Sequence, residues 1–256
     1  MQKRLYFITL YICFLAFLPV IAQKSKTIHV MVALCDNKYQ GIVKVPAGIG
    51  NGQDPNSNLY WGCGYGVRTY FKKSADWQEV SRYKVDSVRL ERIIFKHKIK
   101  DYYLVADAYD GRYIKQATLD LLNSCSGVKK DSLTVDGEKI GIFGNSEVLS
   151  YVGHNGLMDF KLTGSTKNKD GVTRQVMIFA CASRQYFRKF IEESGANPLV
   201  WSTHLMAAEA YPLHAALKTY LADGDDEAVR TSAAAAYAKY QKCSLKAAKK
   251  LLVTGF

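Results

Sequence analysis

The sequence predicts an α/β fold in which helices cover both faces of a mostly parallel sheet. Two observations lead to this prediction. From Thr27 onwards, strand-like segments alternate with segments of helical spacing. The central strand-like segments, such as TIHVMVALC and QVMIFACAS, are almost continuously apolar, which is typical of parallel strands buried on both faces. With 256 residues, 48% of them hydrophobic, the chain is long enough for one large core.

The first half of the chain predicts three strands and two helices. The strand TIHVMVALC is rich in β-branched residues, and the polar loop GIGNGQDPNSN follows it. LYWGCGYGVRTYFKK predicts a helix, and RLERIIFKHKI and DYYLVADAY predict two further strands. DGRYIKQATLDLLNSC has helical spacing of its apolar residues.

The second half begins with the turn-rich segment VDGEKIGIFGN and continues with two apolar strands, EVLSYVGHNG and QVMIFACAS. YFRKFIEESG predicts a short helix that ends at Gly195, and PLVWST predicts a strand. HLMAAEAYPLHAALKTYLADG predicts a helix interrupted around Pro212, and residues 225–252 predict two Ala-rich helices. We therefore expect one domain over residues 23–222 and a basic helical appendage over residues 223–256.

The N-terminus has the pattern of a secretory signal peptide over residues 1–22. A basic head, MQKR, precedes the uncharged apolar stretch from Leu5 to Ala22, and polar sequence begins at Gln23. We expect a cleaved signal and a secreted or periplasmic protein. Because the apolar stretch is longer than the usual signal core, an uncleaved membrane anchor is the alternative.

The chain is basic, with a net charge of +12. Its C-terminal lysines are interleaved with alanines at helical spacing, which favours a solvated helix face; contact with an acidic membrane surface is the alternative. These lysines are Lys239, Lys242, Lys246, Lys249 and Lys250. The sequence carries no signature of an RNA-binding or helix-turn-helix module, so we expect no nucleic-acid partner.

Chemistry-bearing residues follow two of the predicted strands directly. In SYVGHNG, His154 lies where the apolar strand ends, and in MIFACAS, Cys181 lies at the corresponding place. In a doubly wound sheet, the carboxyl ends of the strands form the ligand crevice. A histidine beside a cysteine can take the thiol proton and later protonate a leaving amine, while the sulfur attacks a carbonyl carbon. Gly156 and the N–H group of Cys181 are candidate donors to the oxyanion.

An apolar strand ending in His-Gly, followed by one ending in Ala-Cys, resembles the caspase, legumain and gingipain superfamily of cysteine peptidases. The resemblance implies a parallel-dominated α/β sheet, with Cys181 as nucleophile, His154 as general acid and base, and Gly156 in the oxyanion hole. It implies an endopeptidase that acts on proteins or peptides, and the predicted signal peptide would export it. Asn155 separates His154 from Gly156, unlike the family pattern, so the N–H group of Asn155 is an alternative oxyanion donor.

Asp36 is a candidate substrate-binding residue, because it follows the strand HVMVALC at the same predicted sheet edge. A carboxylate there would favour cleavage after Lys or Arg. The alternative is that Asp36 and Asn37 form a turn, where both residue types are favoured.

Other kinds of function have weaker support in the sequence. His154, Cys181, His204 and Cys35 would have to converge for a metal site, and the chain has no CxxC or HxxxH pair, so we expect neither metal nor cofactor. Five cysteines follow the signal, and this odd number leaves at least one thiol unpaired within an exported chain. Two alternatives to the peptidase are an inactive binding or scaffold protein of the same fold and a thiol amidase that acts on cell-wall peptides.

We expect the exported protein to begin near Gln23, because the apolar stretch ends at VIA and polar residues follow at once. Intact-mass measurement on the native exported protein checks this expectation. Recovery of a membrane-bound form that retains residues 1–22 would support the anchor instead.

Overall fold

The structure is a computed structural model that describes residues 25–256, so the predicted signal peptide lies outside the described residues. Ten strands are present in this part of the chain: β1 (Lys26–Ala33), β2 (Trp77–Tyr83), β3 (Arg89–His97), β4 (Tyr102–Tyr109), β5 (Lys130–Val135), β6 (Glu138–Phe143), β7 (Val148–Gly153), β8 (Gln175–Phe179), β9 (Asn197–Ser202) and β10 (Leu252–Val253). Six α-helices accompany them: α1 (Val67–Lys72), α2 (Ile114–Cys125), α3 (Ser183–Ser194), α4 (Ala210–Leu221), α5 (Asp226–Gln241) and α6 (Leu245–Leu251).

Eight strands form one sheet in the order β10-β9-β8-β7-β1-β4-β3-β2, and β5 pairs with β6 in a separate hairpin. The five central strands, from β9 to β4, are parallel to one another. The strands β10, β3 and β2 add antiparallel pairs at the two sides. The predicted α/β class with a mostly parallel sheet is therefore confirmed.

Alternate residues of β1 enter two hydrophobic cores on opposite faces of the sheet, as the two-residue period of a strand requires. Ile28, Val30 and Val32 pack in the core that also holds residues of α1, α4 and α5. Met31 and Ala33 pack in the core that holds residues of α2 and α3. Burial on both faces explains why the central strands are nearly continuous in apolar residues.

The segment 223–256, predicted as an appendage, is helical but shares the core of the sheet. Val229 and Ala233 of α5 and Ala248 of α6 are fully buried in the same core as β1. Leu252 lies there too, and β10 pairs with β9. No helix in residues 25–256 is long and apolar enough to cross a membrane.

Several elements differ from the predicted ones. The segment VDGEKIGIFGN, for which the sequence predicts turns, contains the strand β6, which pairs with β5. The sequence analysis also does not predict β2, which pairs with β3. The helix predicted across Pro212 begins at Ala210, so this proline lies in the first turn of α4 and does not interrupt it. A proline is tolerated there because the first N–H groups of a helix have no partner within the helix.

A polar network lies buried between the sheet and the β5–β6 hairpin. His29 of β1 and Asp107 of β4 are fully buried, and Nε2 of His29 lies 3.1 Å from a carboxylate oxygen of Asp107. The side chain of Arg92 donates to both oxygens of the same carboxylate at 2.6 Å. Nδ1 of His29 accepts the N–H of Phe143 at 2.9 Å. Because Nδ1 is an acceptor, the imidazole is neutral with its proton on Nε2.

Burial lowers the pKa of His29 despite the opposing effect of Asp107. Burial raises the pKa of Asp107, but the hydrogen bonds from Arg92 and His29 outweigh it and hold that pKa well below its usual range. The two groups therefore affect stability in different pH windows. The unfolded state gains a proton on His29 below about pH 6.5, whereas Asp107 matters only below about pH 4.

We predict that the free energy of unfolding falls as the pH drops from 8 to 5.5, and that His29→Gln weakens this dependence. A glutamine can accept the Phe143 N–H and donate to Asp107 without titrating. His29→Phe leaves the buried N–H of Phe143 without a partner and removes one of the hydrogen bonds to Asp107, and should cost about 3 kcal/mol at pH 8. Urea unfolding at the two pH values measures both effects. An equal pH dependence in the wild type and His29→Gln would contradict this account.

Candidate active site

The ladder between β7 and β8 brings the two predicted catalytic residues to one edge of the sheet. Val152 of β7 pairs with Phe179 of β8 in the parallel register. His154 lies two residues after Val152, and Cys181 lies two residues after Phe179. Both side chains line a single cavity of about 430 Å³. The arrangement places a thiol and an imidazole at the carboxyl ends of neighbouring strands, which is where α/β folds place their sites.

Asn155 joins the two strand ends directly. Its side-chain amide donates to the backbone carbonyl of Cys181 at 2.7 Å. Its side-chain oxygen accepts the N–H of Leu157 at 3.0 Å and caps the short 3-10 helix Gly156–Met158. Asn155 is fully buried, so both halves of its amide are used in a place where an unpaired polar group would be costly. Asn155, which separates His154 from Gly156 in the sequence, thus links the segment that carries His154 to the backbone of Cys181.

Gly153 lets the chain turn from β7 into the cavity. It has a φ of +144°, a conformation that side chains rarely adopt, and a Cβ built on it would lie 2.6 Å from the carbonyl oxygen of Ala33. Glycine is required here for both reasons. Gly153 also lines the cavity, beside His154.

The imidazole of His154 is held by a carboxylate that the sequence analysis did not single out. Its Nε2 atom lies 2.9 Å from an oxygen of Asp159, and the same oxygen accepts the N–H of Gly41 at 3.0 Å. The His154 side chain is only 5% exposed, so its position is fixed by its surroundings. With Nε2–H donating to Asp159, Nδ1 is the nitrogen available for a proton from the thiol.

Cys181 lies in a sharp turn between β8 and α3. The next residue, Ala182, has φ 48° and ψ 34°, which is left-handed and unusual for a residue with a side chain. The N–H of Ala182 donates to the carbonyl of His204 at 2.8 Å. Ser183 and Ser202 add a reciprocal pair, in which the N–H of each donates to the hydroxyl of the other, at 3.1 Å and 2.8 Å. These bonds hold the turn, and with it the cysteine, in place.

The sulfur of Cys181 contacts the loop that follows β9. The N–H of Met206 lies 3.4 Å from the sulfur, and the carbonyl oxygen of Met206 lies 3.5 Å from it. The thiol can donate to this carbonyl, and the N–H group interacts favourably with the negative charge that develops on sulfur when the proton leaves.

The other thiols of the described chain lie in different environments. All five cysteines of residues 25–256 are free. Burial raises the pKa of Cys35 to about 11 and the pKa of Cys125 to about 12. Burial raises the pKa of Cys63 as well, and its thiol donates to the carbonyl of Ser57. Cys243 is exposed and provides an internal reference for a solvent-accessible thiol.

The structure does not bring the other two predicted site residues to the cavity wall. Gly156 is buried and does not line the cavity, and a Cβ added to it would meet the ring of Phe160 at 2.8 Å. Asp36 is 2% exposed, and its carboxylate accepts the N–H groups of Lys38 and Tyr39 and the side-chain amide of Gln53. These contacts match the turn that the sequence analysis gave as the alternative for Asp36.

The residues weighed for a metal site do not converge in the structure. His204 is exposed and its ring contacts the hydroxyl of Thr203. Within residues 25–256, no group of three or more His, Cys, Asp or Glu side chains is arranged to hold a metal ion.

We predict that iodoacetamide alkylates Cys181 about 10-fold faster than Cys243 at pH 7.5, because Cys181 shares its cavity with the imidazole of His154. His154→Ala should slow alkylation of Cys181 and leave Cys243 unchanged. Mass spectrometry of the peptides that contain each cysteine measures both rates in one sample. Equal rates for Cys181 in the two proteins would show that His154 does not activate the thiol.

Comparison of the chain with protein-family models, curated proteins and solved structures found no match. The site itself consists of a cysteine and a histidine that line one cavity and an aspartate that binds the histidine ring.

Proposed function

We propose that the protein is a cysteine peptidase in which Cys181 attacks the peptide carbonyl and His154 transfers the proton. The observation that carries the proposal is the shared cavity of Cys181 and His154, with His154 oriented by Asp159. A nucleophile, a base and a group that orients the base are the three parts that covalent acyl transfer needs.

The proposed reaction has two halves. In the first, Nδ1 of His154 takes the thiol proton, the sulfur bonds to the peptide carbonyl carbon, and the imidazolium then protonates the departing amine. In the second, His154 takes a proton from water, whose oxygen attacks the thioester. The C–S bond breaks, the acid product leaves, and the proton returns to the sulfur. No oxidant, metal or cofactor is needed for this balance.

Asp159 is the positioning residue in this proposal. Its carboxylate fixes the ring of His154 through Nε2 and favours the imidazolium that forms when the thiol gives up its proton. The same oxygen receives the N–H of Gly41, so the carboxylate is itself held in place from the loop after β1. The oxyanion would be met by the N–H of Cys181, which lines the cavity.

The strand order around the site supports a caspase-like peptidase as the finer assignment. The histidine follows β7, the cysteine follows β8, and these strands are parallel neighbours in a sheet with helices on both faces. Export of this peptidase is part of the proposal and rests on the N-terminal sequence alone. Its partners would be protein or peptide substrates.

We predict a graded loss of peptide cleavage in three variants. Cys181→Ala and His154→Ala should each lower kcat by about 10⁴-fold or more, and the double variant should be little worse than either, because the two residues act as a unit. Asp159→Ala removes one charge-assisted hydrogen bond, worth about 1.5–3 kcal/mol, and should lower kcat by about 10- to 100-fold. KM should stay nearly unchanged in Asp159→Ala. Steady-state kinetics on a mixed peptide library measure these effects.

Glu192→Ala is the matched control for Asp159→Ala. Glu192 is an exposed carboxylate on α3 whose ion pair with Arg188 lies at the surface, so its removal should leave kcat unchanged. Cooperative urea unfolding of every variant tests for loss of the fold. A folded Cys181→Ala protein with full activity would remove the peptidase proposal, as would a purified wild type that cleaves no peptide.

A further inference from the structure

The cavity that contains Cys181 and His154 has apolar walls. Apart from these two residues and two glycines, Gly41 and Gly153, every residue that lines it carries a large side chain without formal charge. The six side chains are Ile42, Val43, Tyr60, Met158, Leu205 and Met206. Tyr60 is neutral, because burial raises the pKa of its hydroxyl. A cavity of about 430 Å³ with such walls falls in the range of sites that take small ligands or side chains.

Three of these side chains are exposed although they are apolar. Val43 is 90% exposed, Leu205 is 70% exposed and Met158 is 41% exposed. They come from three separate segments, which follow β1, β9 and β7 respectively. Single exposed apolar residues are ordinary on a protein surface, but a group of them around one cavity marks a surface that a ligand covers.

Three carboxylates, those of Asp36, Asp159 and Glu209, lie within five residues of the cavity residues in the sequence, and each accepts hydrogen bonds within the protein. Asp159 binds the ring of His154 and the N–H of Gly41. Asp36 is buried, and its two oxygens accept hydrogen bonds from the turn that follows it and from Gln53. Glu209 accepts the hydroxyl of Tyr211 at 2.9 Å, and burial raises the pKa of this carboxyl group. None of the three carboxylates lines the cavity. No lysine or arginine lines the cavity to receive an acidic side chain.

Bonding in the acyl intermediate fixes which part of the substrate enters this cavity. The carbonyl carbon bonds to the sulfur of Cys181, and the Cα of the same residue is the next atom. The side chain of that residue therefore begins within three bonds of the sulfur and has to lie against the surrounding walls. A charged side chain there would lose its hydration without gaining a partner, which is unfavourable.

We propose that the site selects peptides with a large apolar side chain, such as Leu, Met or Phe, at the residue whose carbonyl is attacked. This inference rests on the proposed peptidase function and replaces the preference for Lys or Arg that Asp36 suggested from the sequence. The side chains of Val43, Met158 and Leu205 favour such peptides because they bury the apolar surface of the substrate side chain. They disfavour charged substrate side chains because they provide no opposite charge.

The test uses six labelled peptides that differ only at this residue, which is Leu, Met, Phe, Lys, Arg or Asp. Wild-type protein gives kcat/KM for each peptide, and Cys181→Ala gives the affinity of each by fluorescence polarisation without any chemistry. We expect the Leu, Met and Phe peptides to be cleaved at least about 10-fold better than the three charged peptides. We expect the same order in the affinities.

Paired substitutions at Leu205 test whether the cavity wall sets this order. Leu205→Glu should lower cleavage of the Leu peptide and raise that of the Lys peptide, while Leu205→Lys should raise that of the Asp peptide. Leu245→Glu is the matched control, since Leu245 is an exposed apolar residue on α6 that does not line the cavity. It should leave the order unchanged.

The outcomes separate the two proposals. Cleavage that depends on Cys181 but prefers Lys, Arg or Asp overturns the apolar preference and leaves the peptidase standing. Preferential binding of apolar peptides to both proteins without cleavage by the wild type supports the apolar site and overturns the peptidase. If no peptide is bound or cleaved, both proposals fall.

Discussion

The parallel hydrogen-bond ladder between β7 and β8 is the constraint on which the site depends. Because Val152 and Phe179 are paired, the two strands leave the sheet side by side. His154 and Cys181 each follow this last pair by two residues. A register slip of one residue would turn one of the side chains to the opposite face of the sheet. The relative position of thiol and imidazole is thus set mainly by backbone pairing, which buried apolar residues on both faces enforce. The loops then refine this position: Asn155 joins the two strand ends, and Asp159 fixes the imidazole.

The sequence was most informative where one local pattern sufficed. β1, β7 and β8 are buried on both faces, so an apolar run alone identified them, and the residues that followed these runs gave His154 and Cys181. The β5–β6 hairpin surrounds a turn at Asp136 and Gly137, but β5 is mostly polar, so the sequence of this segment predicts turns rather than a pair of strands. Its inner face is specified by a distant partner, since His29 of β1 accepts the N–H of Phe143.

The parts of the site that the sequence did not reveal depend on contacts between loops. Asp159 lies five residues after His154, a separation that does not by itself predict contact, and a loop turn brings the two together. Gly153 directly precedes His154, and glycine is required there because of its φ of +144° and because of the carbonyl of Ala33 on the adjacent strand. Asp36 follows β1 at the carboxyl edge of the sheet, but its carboxylate accepts hydrogen bonds from the N–H groups of Lys38 and Tyr39 in a turn. Strand order can be inferred from sequence, whereas the direction of a side chain beyond a strand end depends on its partners.

The turn after Cys181 shows how these loop contacts link the nucleophile to the cavity wall. A non-glycine residue in the left-handed region costs on the order of 1 kcal/mol or more, so Ala182 needs support from its surroundings. Part of that support is the hydrogen bond from its N–H to the carbonyl of His204. His204 directly precedes Leu205 and Met206, which line the cavity, and Met206 also contacts the sulfur of Cys181. The same backbone bond therefore holds the turn that presents the thiol and fixes the start of the loop that surrounds it. A change in this loop would alter the position of the nucleophile and the shape of the cavity together.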